Sequence, residues 1–174
     1  MKHTSIRRAR KEDAAHVGAL WLRLLAEQAA LEERFGVADD ALERWTNDFA
    51  HWVGDEQYRV FVAECDGDLV GFITACLWEP SPIYAGPQEV YINELYVVPE
   101  ARGQGGGRRL VEAVKTWAET FPAQRLRLGV LAVNAEGRAF WERLHAQPFS
   151  VTLTLALEAG GAPKKEEKKA KLGF

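Results

Sequence analysis

The chain has 174 residues, 47% of them apolar, with a net charge of −3, four histidines and two cysteines. That is enough apolar side chain for one substantial core, so a single domain over residues 1–159 is expected, and no apolar run is long enough to cross a membrane. No signal-like apolar segment follows Met1, Cys65 and Cys76 form no Cys-x-x-Cys, and the histidines lack zinc-ligand spacing, so a cytoplasmic protein without disulfide or metal is expected.

Residues 5–10 read as a first strand. Residues 12–33 read as a helix with Val17, Leu20, Trp21, Leu24 and Leu25 on one stripe, and 39–53 as a second helix. Strands at 58–65 and 68–77 flank Asp66-Gly67, a tight-turn signal for a hairpin, and place Cys65 and Cys76 in apolar strands as buried spectators. Residues 91–98 are rich in β-formers and stop at Pro99, which cannot donate to a ladder.

A glycine-dense loop follows, Arg102-Gly103-Gln104-Gly105-Gly106-Gly107-Arg108, and a helix is expected after the glycines, carrying Leu110, Val111, Val114, Trp117, Ala118 and Phe121 at helical spacing. Residues 126–133 form another apolar strand, and Asn134 leads as N-cap into a helix bearing Ala139, Phe140, Trp141 and Leu144. Residues 149–157 are the last strand, whose apolar edge would need a cover such as a second copy of the chain in a homodimer. From Gly160 to Phe174 the chain is linker-like and then lysine-rich, as expected of a flexible tail. Its five lysines and two glutamates give +3 and leave −6 for the rest, an acidic body that argues against nucleic acid as the main partner.

A loop of glycines at a helix N-terminus is an anion cradle. Free N–H groups and the positive end of the dipole converge there, glycine lets a pyrophosphate approach the backbone, and Arg102, Arg108 and Arg109 add positive charge. Two common phosphate fingerprints fail. Arg108-Arg109-Leu110 stand where a P-loop needs Lys-Ser/Thr, and Gly-x-Gly-x-x-Gly counted from Gly103 or Gly105 meets Arg108 or Leu110 at its third glycine.

Arg-x-x-Gly-x-Gly does fit, at Arg102, Gly105 and Gly107, and with Leu95-Tyr96-Val97-Val98-Pro99 before it the segment resembles the coenzyme A loop of the GNAT superfamily of acetyl-CoA-dependent N-acyltransferases. Asn134, Phe140, Trp141, Leu144, His145 and Phe149 match a second family pattern, with two departures. Trp141 replaces a tyrosine that protonates the departing sulfur in the family, and an indole N–H is no usable acid. His145 stands where a helix-ending glycine is usual, which implies a different cap or a shifted boundary.

The resemblance implies an α/β (α+β) fold, a mixed and mostly antiparallel central sheet flanked by helices in the order β-α-α-β-β-β-α-β-α-β. It implies acetyl-CoA as co-substrate and no metal, held by Leu95, Tyr96, Val97, Val98, Arg102, Gly103, Gln104, Gly105, Gly106, Gly107, Arg108, Asn134 and Trp141. The chemistry it implies is direct transfer to a primary amine of a small molecule or peptide, with main-chain N–H groups of residues 95–98 stabilising the developing oxyanion. Expelling a thiol of pKa about 8.5 as thiolate at pH 7 costs roughly 2 kcal/mol, whereas deprotonating an alkylamine of pKa about 10.4 costs roughly 4.6 kcal/mol. A base therefore matters more than an acid. Glu94, the one carboxylate inside the strand leading to the loop, is the candidate base; equally it reads as a solvated or salt-bridged strand residue, sharing a face with Ile92, Tyr96 and Val98 under strict alternation.

Tyr96 is a candidate proton donor or a packing residue, Glu89 a surface residue or second base, and His145 a titrating group or a partner of the helix dipole. In the family the two early helices shape the acceptor site, and here Glu27, Glu32, Glu33, Asp39 and Asp40 would suit a cationic amine or simply form exposed helix faces. A catalytically inactive acyl-CoA-binding module shares every loop feature and would differ in turnover.

Overall fold

A computed structural model describes residues 4–81, 83 and 86–156. The chain order is β1 (Thr4–Arg8), a short 3-10 turn, α1 (Ala14–Leu31), α2 (Ala41–Gly54), β2 (Tyr58–Cys65), β3 (Asp68–Trp78), β4 (Glu89–Val97), a second 3-10 turn at Pro99–Ala101, α3 (Gly106–Ala118), β5 (Arg125–Leu128) and α4 (Ala135–Arg143). The strands lie in sequence order across one five-stranded sheet, antiparallel from β1 to β4, with β5 parallel to β4 through the α3 crossover. This is the mixed, mostly antiparallel sheet flanked by helices that the sequence implies.

Alternate strand residues face opposite layers. On one face Val60, Val62, Phe72, Tyr96 and Val98 pack with Val17, Leu20 and Trp21 of α1 and Trp45 and Phe49 of α2. On the other, Ala63, Ile73, Ala75, Val90 and Ile92 pack with Leu110, Val111, Val114 and Trp117 of α3, and Phe140, Trp141 and Leu144 close over them. The hairpin turn forms as expected, with φ of 53° at Asp66 and 91° at Gly67, the paired positive angles a tight two-residue connection needs. Cys65 is buried and Cys76 half-buried.

Three expectations are corrected. α3 starts at Gly106 rather than after the glycines, because Gly105 at φ 81° provides a left-handed N-cap and the next two glycines enter the first turn. β5 stops at Leu128 instead of running to 133, because β4 turns away from it there. The final strand expected at 149–157 does not form: residues 149–156 join no ladder, and Leu157 and the 160–174 tail lie outside the described residues.

Candidate active site

β4 and β5 pair from Glu89↔Arg125 to Ile92↔Leu128 and then separate. The separation follows a bulge: Ala75 pairs with Ile92 and Thr74 with Glu94, so Asn93 is an extra residue that rotates the rest of β4. Ile92 consequently packs on the α3 side, whereas Glu94 meets Trp21 on the α1 side with Tyr96 and Val98, so of the shared face expected from strict alternation only Ile92 is corrected. The gap opens into a cleft of about 1280 Å³ that runs from α1 past residues 92–97 of β4 to the glycine loop and α4. Of the residues assigned from sequence, Glu94, Leu95, Tyr96, Val97, Arg102, Gly103, Gly105, Gly106, Gly107, Arg108, Asn134 and Trp141 line this cleft. Val98 and Gln104 are not among the lining residues; the Val98 N–H is engaged by the Val70 carbonyl at 2.9 Å and the Gln104 side chain by the Glu100 carbonyl at 3.3 Å.

At the loop end of the cleft, the Arg109 N–H is the donor that closes the first turn on the Gly105 carbonyl, at 3.1 Å, so the N–H groups of residues 106–108 have no intrahelical acceptor. A Cβ at Gly106 would meet nothing within 4 Å, while one at Gly107 would stand 3.3 Å from the Phe140 ring. Those are the features a bound pyrophosphate requires: donors at a helix N-terminus, room above them, and close packing behind. Arg102 is differently employed. Its guanidinium donates to Glu27 at 2.7 Å and to the Val97 carbonyl at 2.9 Å, and lies over the Tyr96 ring.

Glu94 is held by Trp21 Nε1 at 2.6 Å and by the Thr74 hydroxyl at 2.7 Å, and it contacts no cationic side chain among the described residues. Burial pushes its carboxyl above the usual carboxylate range, against the weaker pull of the bonds from Thr74 and Trp21. Trp21 stacks on Trp45 at 5.3 Å, and Thr74 is buried, so both donors are locked in place. Sequence reasoning missed both. Trp21 stood on the core stripe of α1, and the signal was its indole N–H, which a buried tryptophan places on a partner.

Four of the other carboxylates named from the sequence, Glu27, Glu32, Asp40 and Glu89, are engaged. Burial alone would raise the Glu27 carboxyl, but bonds from Arg102 and from the Tyr96 hydroxyl, both 2.7 Å, hold it below the usual range. Glu32 pairs with Arg34 and Asp40 with Arg44, each at 2.7 Å, so three of the acidic residues expected to face a cationic substrate already have arginine partners. Glu89 is buried rather than at the surface, ion-paired with Arg125 and Arg127.

Asn134 caps α4 through its side chain, which accepts from the Gly137 N–H at 2.8 Å, while also lining the cleft. His145 adopts the left-handed conformation itself, φ 63°, with the Ala146 N–H on the Trp141 carbonyl and the His145 N–H on the Glu142 carbonyl. The expected departure in cap geometry is therefore absent: histidine occupies the cap that glycine usually makes. Replacing it should relieve the penalty of a side chain at positive φ, so His145→Gly is expected to stabilise the protein by about 1 kcal/mol in chemical denaturation. An unchanged midpoint would show that His145 contacts compensate the strain.

The sequence model of the acetyltransferase (GNAT) family matches residues 11–146. Among curated relatives, the mouse thialysine N-epsilon-acetyltransferase is 28% identical over 155 residues, covering 86% of this chain and 88% of that protein. An uncharacterized N-acetyltransferase of Archaeoglobus fulgidus is 34% identical over 95 residues, or 55% of this chain; the match spans 64% of that relative's length. The solved structure of an aminoglycoside N-acetyltransferase in complex with CoA superposes with a TM-score of 0.70 at 19% identity, covering 91% of this chain and 97% of the other, a likeness of fold.

Proposed function

The chain belongs to the acetyltransferase (GNAT) family and is an acetyl-CoA-dependent acyltransferase; from that premise we propose that it transfers acetyl directly to a primary amine, with Glu94 as the base. One observation carries this reading: Glu94 is a half-buried carboxylate in the cleft wall, bonded to Trp21 of α1, with raised proton affinity and no cation beside it among the described residues. A carboxyl of raised pKa is a stronger base for an incoming ammonium, and it accepts that proton directly or through one water. The names of two similar proteins, a thialysine N-epsilon-acetyltransferase and an aminoglycoside N-acetyltransferase, describe acetyl transfer to nitrogen in those proteins and support an amine acceptor here. Leu24, Ala30, Leu31 and Phe35 on the α1 side of the cleft suit an amine carried on a partly apolar body.

Acetyl-CoA supplies an activated acyl thioester; the protein's residues orient it and handle the proton. The N–H groups of residues 106–108 receive the pyrophosphate at the start of α3. The Val98 N–H faces β3, where it meets Val70, and strand alternation turns the N–H groups of Leu95 and Val97 to the opposite side, where β5 has left. These two are the donors for charge developing on the carbonyl oxygen. Tyr96 donates to Glu27 and acts in this reading as a positioning residue that, with Glu27, keeps Arg102 on the Val97 carbonyl. No cysteine takes part: neither Cys65 nor Cys76 lines the cleft, and burial raises the Cys76 thiol.

The test is acetyl-CoA-dependent thiol release against a panel of diamines, aminoglycosides, amino acids and N-terminal peptides, with CoA affinity measured in parallel. Turnover with one amine class is expected. Tight CoA binding without turnover on any amine would favour an acyl-CoA-binding module instead, and no CoA binding would overturn the cleft assignment.

A further inference from the structure

Among the described residues, the charged side chains lining the cleft are Glu27, Glu94, Glu136, Arg102, Arg108 and Arg143. Two of the three carboxylates are already answered by one arginine. Arg102 donates to Glu27 at 2.7 Å and stands 3.6 Å from Glu136, and Glu27 also accepts from the Tyr96 hydroxyl at 2.7 Å. Glu94 is the one of the three with no cationic partner among the described residues. Glu32, Glu33, Asp39 and Asp40, which the sequence suggested for a cationic substrate, do not line the cleft. The cleft therefore offers one seat for an ammonium group. A second ammonium would lie unpaired, or would have to take Glu27 from both Arg102 and Tyr96.

Around Glu27 the α1 side of the cleft is otherwise Leu24, Gln28, Ala30, Leu31 and Phe35. Leu31, the last residue of α1, is 47% exposed, and Phe35 is half-buried. Apolar surface left open on a cleft wall favours a ligand whose own apolar surface covers it. Resting on the amine-acetylation reading above, we infer that the acceptor is a primary monoamine on an apolar alkyl or aryl body, and that polyamines and aminoglycosides are poor substrates. The single ammonium gives a proton to Glu94, and the C–N bond forms as the thioester C–S bond breaks. The second nitrogen proton leaves with the CoA sulfur as thiol. The apolar body meanwhile lies against Leu31 and Phe35, where a second charge would be desolvated without a partner.

The test is kcat/KM for acetyl-CoA-dependent thiol release across the n-alkylamines from ethylamine to hexylamine, with 1,6-diaminohexane as the same chain carrying an ammonium group at its far end. The series should rise by about fourfold for each methylene that reaches the apolar wall, and hexylamine should exceed the diamine by at least roughly tenfold. Leu31→Glu gives a second ammonium a carboxylate at a half-exposed position that the fold tolerates. It is expected to move the hexylamine-to-diamine ratio at least roughly tenfold toward the diamine, at unchanged CoA affinity and thermal midpoint. A flat alkylamine series, or a parent that prefers the diamine, spermidine or an aminoglycoside, would overturn the inference and leave amine acetylation standing. So would a ratio that a folded Leu31→Glu leaves unchanged. CoA binding with no turnover on any of these amines would instead sink the acetylation reading, and the inference with it.

Discussion

Glu94→Gln is expected to lower kcat by roughly 10²- to 10⁴-fold while leaving CoA affinity nearly unchanged. The substitution is close to isosteric and leaves no polar atom stranded, since the amide oxygen can accept from Trp21 and the amide NH₂ can donate to Thr74. Activity requires the ionised carboxylate, and burial raises the Glu94 carboxyl, so the acid limb of the pH–rate profile should lie above the ordinary carboxylate value of about 4.3 and vanish in the variant. Stability carries the opposite sign. A carboxyl whose folded pKa exceeds its unfolded value binds more protons in the native state, so its contribution to stability falls as pH rises between the two values. At neutral pH Glu94→Gln should therefore melt at or above the parent's midpoint, a loss of activity without a loss of fold. A variant that keeps the parent's rate and pH profile would make Glu94 a structural partner of Trp21.

Gly107→Val is expected to weaken CoA binding by at least roughly a hundredfold, about 2.7 kcal/mol, equivalent to losing one or two charge-assisted hydrogen bonds. A Cβ at this position already stands 3.3 Å from Phe140 Cε2 and 3.8 Å from Val97 Cγ2, and the branched methyls must push α4 away or project over the first turn of α3. Gly106→Val separates the two effects. Its Cβ would meet nothing within 4 Å, so the fold has room for it, and the added side chain would fill only space beside the free N–H groups. Calorimetric CoA affinity together with thermal midpoints reads the outcome. Loss of affinity at an unchanged midpoint in Gly106→Val assigns that space to the ligand, and retained affinity in both variants would remove the glycine loop from the site.

The early elements were legible because their determinants lie close together in the chain. The Asp66-Gly67 turn, the Asn134 cap and the run from β4 through Pro99 into a glycine-capped helix each need only neighbours within a few residues, and each stands within a residue or two of its expected place. Boundaries failed where a distant partner decided them. Nothing in residues 126–133 announces that β4 turns away after Ile92, and nothing in the alternating pattern of 149–157 announces that the subunit offers it no ladder.

The sequence by itself therefore determined the family and singled out the glycine loop at a helix start and Glu94 as candidates, all written in contiguous residues. Which face that carboxylate presents was decided by the register of β3 against β4: the extra residue Asn93 rotates Glu94 away from Ile92 and onto Trp21, 73 positions earlier in the chain. The roles of the arginines were decided in the same way, since Arg102 matches a phosphate-loop pattern in one dimension and is captured by Glu27 in three. Local propensity and spacing act over one turn of helix or one pair of strand residues. Strand register, burial and ion pairing are set by elements that meet only when the sheet closes against α1, and that meeting is what raises the proton affinity of Glu94 and makes it a candidate base.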